Sequence, residues 1–330
     1  MDANAKELRR KLRVAGLTEK AVDAAWPSWW SDDAAQSRSA QAELRFSVAR
    51  KLGVSASALA RDEVQFAWRD QTRFKHLRNE TSQEQAVLAS FGLGLANHIA
   101  AAASRLPDMA LPSANELREA ILQTRPVVDL LGLMGTCWAI GIPVIYLRVF
   151  PLDGKHMHAM VAKSGERHVI LLARDTRYPA QAAFTLAHEL GHIALGHLAG
   201  QASLVDLDDP ASAIDRDEEE VAADRYALEL LTGSPDPDIR AAIDNPSGRA
   251  LAAAATESGV PRRIDPGTLA LCFGYRTGNW QAANAALRHL YPNATQVWYP
   301  TNELAMGQLD WSSLSSDSQD FLSIVMGING

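Results

Sequence analysis

The run AHELGHIALGH, Ala187 to His197, sets three histidines and a glutamate in an otherwise apolar stretch. Residues 188–192 match H-E-x-x-H. Helical residues four apart share a face, so His188 and His192 can aim their imidazoles at one ion about 2 Å away. Glu189 sits beside that face, close enough to touch a water on the ion. Burying two histidines and a glutamate in such a helix is costly unless something pairs with them. The residue types and spacing point to zinc.

The third ligand decides the class of site. An extended motif with a further histidine would need Gly at 195 and His at 198, where this chain has Leu195 and Leu198. His197 is one position out of phase, about 100° around a helix, and reads as a helix-end residue facing away from His188 and His192. The other source is DEEEVAADRYALELL (217–231), a helix whose first turn is acidic, as the helix dipole favours. Glu220, Ala223, Asp224, Ala227 and Leu231 form a stripe that turns apolar and so faces inward. Glu220 can bind the metal while Asp224 accepts the spare N–H of a ligand imidazole. Glu219 heads a second apolar stripe and stays an alternative; Glu218 reads as solvated. Two histidines and one carboxylate leave a zinc position open for water, the catalytic pattern. Glu189 is then the expected catalytic base. His158, Arg177, Tyr178 and Tyr275 are candidates for steadying the oxyanion.

Upstream, GIPVIYLRVF (141–150) reads as a strand, and HAMVAK (158–163) and HVILLA (168–173) as a hairpin whose edge could take an extended peptide. A helix from about 180 to 197 follows, and a loop of about 18 residues leads to the acidic helix. The order is α+β and mostly helical, not doubly wound. Cys137, before the first strand, reads as a core residue.

The chain is acidic overall, with formal net charge -7, which argues against nucleic-acid binding by the molecule as a whole. Residues 1–80 nevertheless hold 15 Lys/Arg against 11 Asp/Glu. Residues 5–14 and 41–52 read as helices, separated by WPSWWSDDAAQSRS, whose tryptophans should pack a small core. In FSVARKLGVSASALARD (46–62), Ala49, Gly53, Val54 and Ser55 fall at helix-turn-helix spacing, a corner that occurs with or without DNA. FAWRDQTRFKHLR (66–78) mixes Phe66, Trp68 and Phe74 with Arg69, Arg73, Lys75 and Arg78. It reads first as an amphipathic linker helix and second as a nucleic-acid contact. AVLASFGLGLANHIAAAAS (86–104) lacks charge, yet its Ala, Gly, Asn97 and His98 suit a buried helix better than a membrane span. Pro107 and Pro112 mark a joint. With two cysteines and no apolar leader, the expected location is the cytoplasm, without a membrane.

GIPVIYL, the hairpin, FTLAHELGHIALGH and EVAADRYALELL together resemble the ImmA/IrrE family of bacterial metallopeptidases, and ESGVPRRIDPGTLA (257–270) resembles its later segment. The resemblance spans about 140–275. Asp224 and Tyr226 replace an Asn and a Phe of the family pattern, and RYPAQAAF (177–184) departs from its more polar form. The resemblance implies a zincin-like core with Zn2+ on His188, His192 and Glu220, Glu189 as base, and cleavage of helix-turn-helix repressors that control phage, mobile-element or stress-response genes. The expected organisation is a helix-turn-helix-like helical domain (1–82), a helical connector (83–125), the metallopeptidase core (126–275) and a C-terminal helical region (276–330). The N-terminal part would dock on a repressor or contact DNA. Two alternatives remain: a DNA-binding transcriptional regulator with a non-catalytic or sensor peptidase domain, and a zinc hydrolase acting on another amide.

Overall fold

A computed structural model describes residues 3–68, 72–75, 81–104, 111–153, 157–206, 217–239, 245–293 and 295–328. The helices α1 (Ala3–Val14), α2 (Glu19–Ala25), α3 (Arg38–Leu52) and α4 (Ala56–Leu59) precede strand β1 (Thr72–Lys75). Next come α5 (Ser82–Ala102), α6 (Ala114–Leu122), α7 (Leu130–Ala139), β2 (Val144–Tyr146), β3 (Ala159–Ser164) and β4 (Arg167–Leu172). The chain continues through α8 (Pro179–Ala194), β5 (Ser203–Asp206), α9 (Glu218–Thr232), α10 (Gly248–Arg262) and α11 (Pro266–Thr277). It closes with α12 (Trp280–Leu290), α13 (Trp298–Gln308) and α14 (Ser316–Met326). The fold is α+β, mostly helical and zincin-like, around one mixed sheet of order β1-β5-β3-β4-β2.

Both faces of that sheet are covered, which explains its strand sequences. Alternate residues of a strand point to opposite faces. Met160 and Ala162 of β3, with Val169 and Leu171 of β4, pack in one core with Leu52 of α3, Phe91 and Leu95 of α5, and Phe321 of α14. Ala159, Val161, Ile170 and Leu172 turn the other way, onto Leu186 and Leu190 of α8 and Leu230 of α9. A strand buried on both faces reads as a continuous apolar run, as HVILL does.

β3 and β4 form the expected hairpin, Ala159 opposite Leu172 through Ser164 opposite Arg167. Its edges are not free. β4 pairs on its far side with β2, in parallel, and β3 with β5, antiparallel. The hairpin strand 168–173 is thus interior and cannot bind a peptide by strand addition. The β5 strand was hidden in a segment read as loop, because SLVD is short and sits among acids and glycines. The strand expected over 141–150 contracts to Val144–Tyr146.

FAWRDQTRFKHLR is not a helix where it is described: Thr72–Lys75 is β1, paired in parallel with β5. Arg69 and Arg78 lie outside the described residues, as does Pro107. The corner at Ala49–Ser55 forms, with Gly53 closing α3 and the Ser55 hydroxyl accepting from the Ala58 amide. The helix after the corner is a single turn of four residues. Trp26 and Trp30 pack on the large core shared with the C-terminal helices instead of a small one of their own, Trp29 is exposed, and Cys137 is fully buried. By length and composition α5 could cross a membrane, but it is a core helix, with Val87, Phe91, Leu95 and Ile99 buried.

At the β2 edge a side chain stands in for a missing strand. Asn302 of α13 accepts from the Tyr146 amide at 2.7 Å and donates to the Tyr146 carbonyl at 2.8 Å and the Met326 carbonyl at 2.7 Å. Asn302 is fully buried, so its loss leaves backbone groups without water or a partner. Asn302→Leu should lower the unfolding free energy by about 3 kcal/mol or more in urea titrations. A loss below about 1 kcal/mol would show that this edge tolerates unpaired backbone.

Candidate metal centre

Helix α8 starts with Pro179 at its first position, where the missing N–H costs nothing. Its apolar faces carry it into the core beneath the sheet, and His188, Glu189 and His192 become fully buried. The sequence expected this helix to run to His197, but α8 ends at Ala194 and Gly196 adopts a left-handed φ of 73°. The chain therefore turns back, and His197 no longer follows the 100° step of the helix. The His197 ring returns to His192, Nδ1 to Nδ1 at 2.8 Å. His197 is therefore outside the candidate ligand set, as expected, but it supports that set instead of facing away. A glycine one residue before it was the available signal.

Helix α9 brings the acids. The Asp217 side chain caps it by accepting from the Glu220 amide at 2.9 Å. Glu220, Ala223, Asp224, Ala227 and Leu231 are all buried, so the stripe read from sequence does face inward. The two helices can meet because residue 191 is glycine. A Cβ there would lie 3.0 Å from the Cα and carbonyl oxygen of Ala223 and 3.2 Å from the Tyr226 Cβ. That approach lets the Asp224 carboxylate accept from His188 Nδ1 at 2.9 Å.

Three groups then converge. His188 Nε2 and His192 Nε2 stand 2.9 Å apart, and each is 3.4 Å from one Glu220 oxygen. One ligand atom from each of the three residues lies within 4.8 Å of the others. The Nδ1–H of His188 goes to Asp224, and His192 can donate its own to His197, which leaves both Nε2 atoms as lone-pair donors. Burial and the neighbouring His188 drive the His192 pKa down to about 2, so its ring stays neutral. Burial works against the Glu220 charge, the Lys75 ammonium nearby favours it, and the carboxylate is held below its ordinary range. Two lone pairs and a carboxylate at such separations repel unless a cation lies among them. Four-coordinate zinc, with bonds of about 2.0–2.2 Å, sets its ligand atoms about 3.4 Å apart. The cluster therefore fits a metal ion.

The alternative acids go elsewhere. Glu219 bonds Arg73 at 2.6 Å and Lys75 at 3.0 Å, and Glu218 is exposed. Of the four oxyanion candidates, His158 and Tyr275 line a cavity of about 230 Å³ next to the centre. His158 Nε2 meets Thr185 Oγ1 at 2.9 Å, and the Tyr275 hydroxyl donates to Asp224 at 3.4 Å. Tyr178 instead packs on Tyr291, and Arg177 is exposed. The cavity is mostly apolar and follows one face of α8, where Phe184 and Thr185 lie about one turn before His188.

Gly191→Val should push α9 off α8 and cost about 1–3 kcal/mol of unfolding free energy by overpacking. Denaturant titration reads this, and a neutral result would mean that the helices do not need so close a contact.

None of the curated proteins compared with the chain matches it. The model of one family does match, over residues 137–257: peptidase family M78, described as the IrrE N-terminal-like domain. The matched stretch runs from Cys137 of α7 through β2 to β5, α8 and α9 into α10, and so contains His188, His192 and Glu220. M78 is a metallopeptidase family, in keeping with the donors found here, and residues 137–257 of this chain are similar to its IrrE N-terminal-like domain.

Proposed function

We propose that this protein is a zinc-dependent endopeptidase that cuts a specific protein substrate. One observation carries the reading: two buried imidazoles and a buried carboxylate converge, with each imidazole's other nitrogen already engaged by Asp224 or His197. His188, His192 and Glu220 would hold the ion, and Asp224 fixes the tautomer and orientation of His188. Zinc in such a site supplies Lewis acidity and a water acidic enough to react near neutral pH. Glu189, buried next to His188 on α8, takes the proton of the attacking water and returns it to the leaving amide nitrogen. The cavity beside α8 is larger than one that admits benzene, about 150 Å³, so it suits a large apolar side chain of the substrate.

The substrate we favour is a helix-turn-helix transcriptional repressor, whose cleavage would switch on phage, mobile-element or stress-response genes. The family resemblance supports this. The N-terminal part, with its corner at Ala49–Ser55, would dock on such a protein. Contact with DNA has less support, because Arg73 and Lys75 are engaged by acids of this chain and the helix after the corner is one turn. Free, buried Cys137 and Cys272 suit a reducing compartment, here the cytoplasm.

Incubation of the zinc-loaded protein with a candidate repressor tests the reading. Glu189→Gln should retain zinc and lose cleavage by at least about 100-fold; a variant that still cuts contradicts the role of Glu189. Asp224→Ala should weaken zinc about 10–100-fold, measured by chelator competition. Unchanged affinity would remove Asp224 from the site.

A further inference from the structure

Lys75 ends β1 with its side chain only 5% exposed, yet three carboxylates surround it. Its Nζ lies 2.5 Å from Asp217, 3.0 Å from Glu219 and 3.4 Å from Glu220. Arg73, two residues earlier and so on the same side of the strand, reaches Glu219 at 2.6 Å and Asp217 at 3.6 Å. Two cations of one strand thus meet three anions from the cap and first turn of one helix. The strand itself is held in register by β5, with Arg73 opposite Leu204 and Lys75 opposite Asp206. The Thr72 and Ser203 hydroxyls add a bond of 2.7 Å. Residues 72–75 lie outside the matched domain, so the partner of these acids comes from another part of the chain.

Three like charges at one helix start repel each other, and the helix dipole offsets this only in part. Glu220 is nearly fully buried and has least recourse to water. Burial opposes the Lys75 charge, but the bonds it donates to Asp217 and Glu219 outweigh that cost and favour the ammonium. Those two bonds are shorter than the contact to Glu220, so they neutralise most of the charge that would repel a metal. What remains is orientation: the acids are held in place, and the first turn of α9 with them.

We propose that Lys75 is a positioning residue for Glu220. Through Lys75, with Arg73 in support, the N-terminal strand fixes the start of α9 and sets how tightly His188, His192 and Glu220 hold their metal. Metal affinity is thereby coupled to the seating of β1 on β5. The inference rests on the metal reading given above, and zinc binding by the full chain separates the two.

The test is zinc affinity by competition with a chromophoric chelator, for the parent, Lys75→Met, Lys75→Arg and Arg73→Gln, with melting temperatures of the metal-free chains. Lys75→Met should weaken zinc about tenfold or more, and Lys75→Arg should recover most of the loss. Arg73→Gln, a change at a half-exposed residue, should weaken zinc about threefold. A Lys75→Met chain that binds zinc as tightly as the parent overturns the proposal. So does a loss that Lys75→Arg fails to recover while the melting temperature falls in parallel, since that marks packing alone. If Lys75→Met does not fold, Arg73→Gln decides, and unchanged affinity overturns the proposal. A parent that binds no zinc overturns the metal reading and this inference with it.

Discussion

The close approach of α8 and α9 is the contact on which the centre depends. One helix carries His188 and His192, the other Glu220 and Asp224, and neither has a site alone. Gly191 and Ala223 let the two backbones come together. The apolar stripes around them, Leu186 and Leu190 on one helix and Ala227 and Leu230 on the other, bury surface that holds them there. The polar pair His188–Asp224 sits inside that contact and completes it. Burying such a pair unsatisfied would cost more than the packing gains, so packing and hydrogen bonding must be right together.

The sheet serves as a partition. Its alternating side chains send Met160 and Leu171 into a core shared with the N-terminal and C-terminal helices, and Val161 and Ile170 into the core beneath α8 and α9. The chain ends meet in the first of these layers, where Lys51 reaches Asp317 at 2.5 Å. The candidate metal cluster lies on the opposite side, yet β1 brings Arg73 and Lys75 to the start of α9. Sheet pairing is the physical link between the N-terminal segment and the centre.

The cluster was more legible in the sequence than its surroundings were. His188 and His192 follow from helical spacing, and Glu220 and Asp224 from an inward stripe, because those are local regularities. Two apolar runs split by a polar, glycine-containing turn predict the β3–β4 hairpin for the same reason. What the residues could not display was pairing between distant segments. β1 and β5 are four-residue strands, short enough to pass for linker and loop, and their partnership spans more than a hundred positions. The bulky and basic residues of 66–78 invite a helical or nucleic-acid reading because the acidic partners of Arg73 and Lys75 lie far along the chain. His197 was misjudged for another reason: periodicity was carried past the point where Gly196 ends the helix.

The proposed role of His188, His192 and Glu220 is tested most directly by anomalous diffraction at the zinc edge from crystals of the zinc-loaded chain. The account expects one strong peak, about 2.0–2.2 Å from His188 Nε2, His192 Nε2 and a Glu220 oxygen, with Asp224 still on His188 Nδ1. A peak bound through His197 or Glu219, or no peak at this cluster, would contradict it.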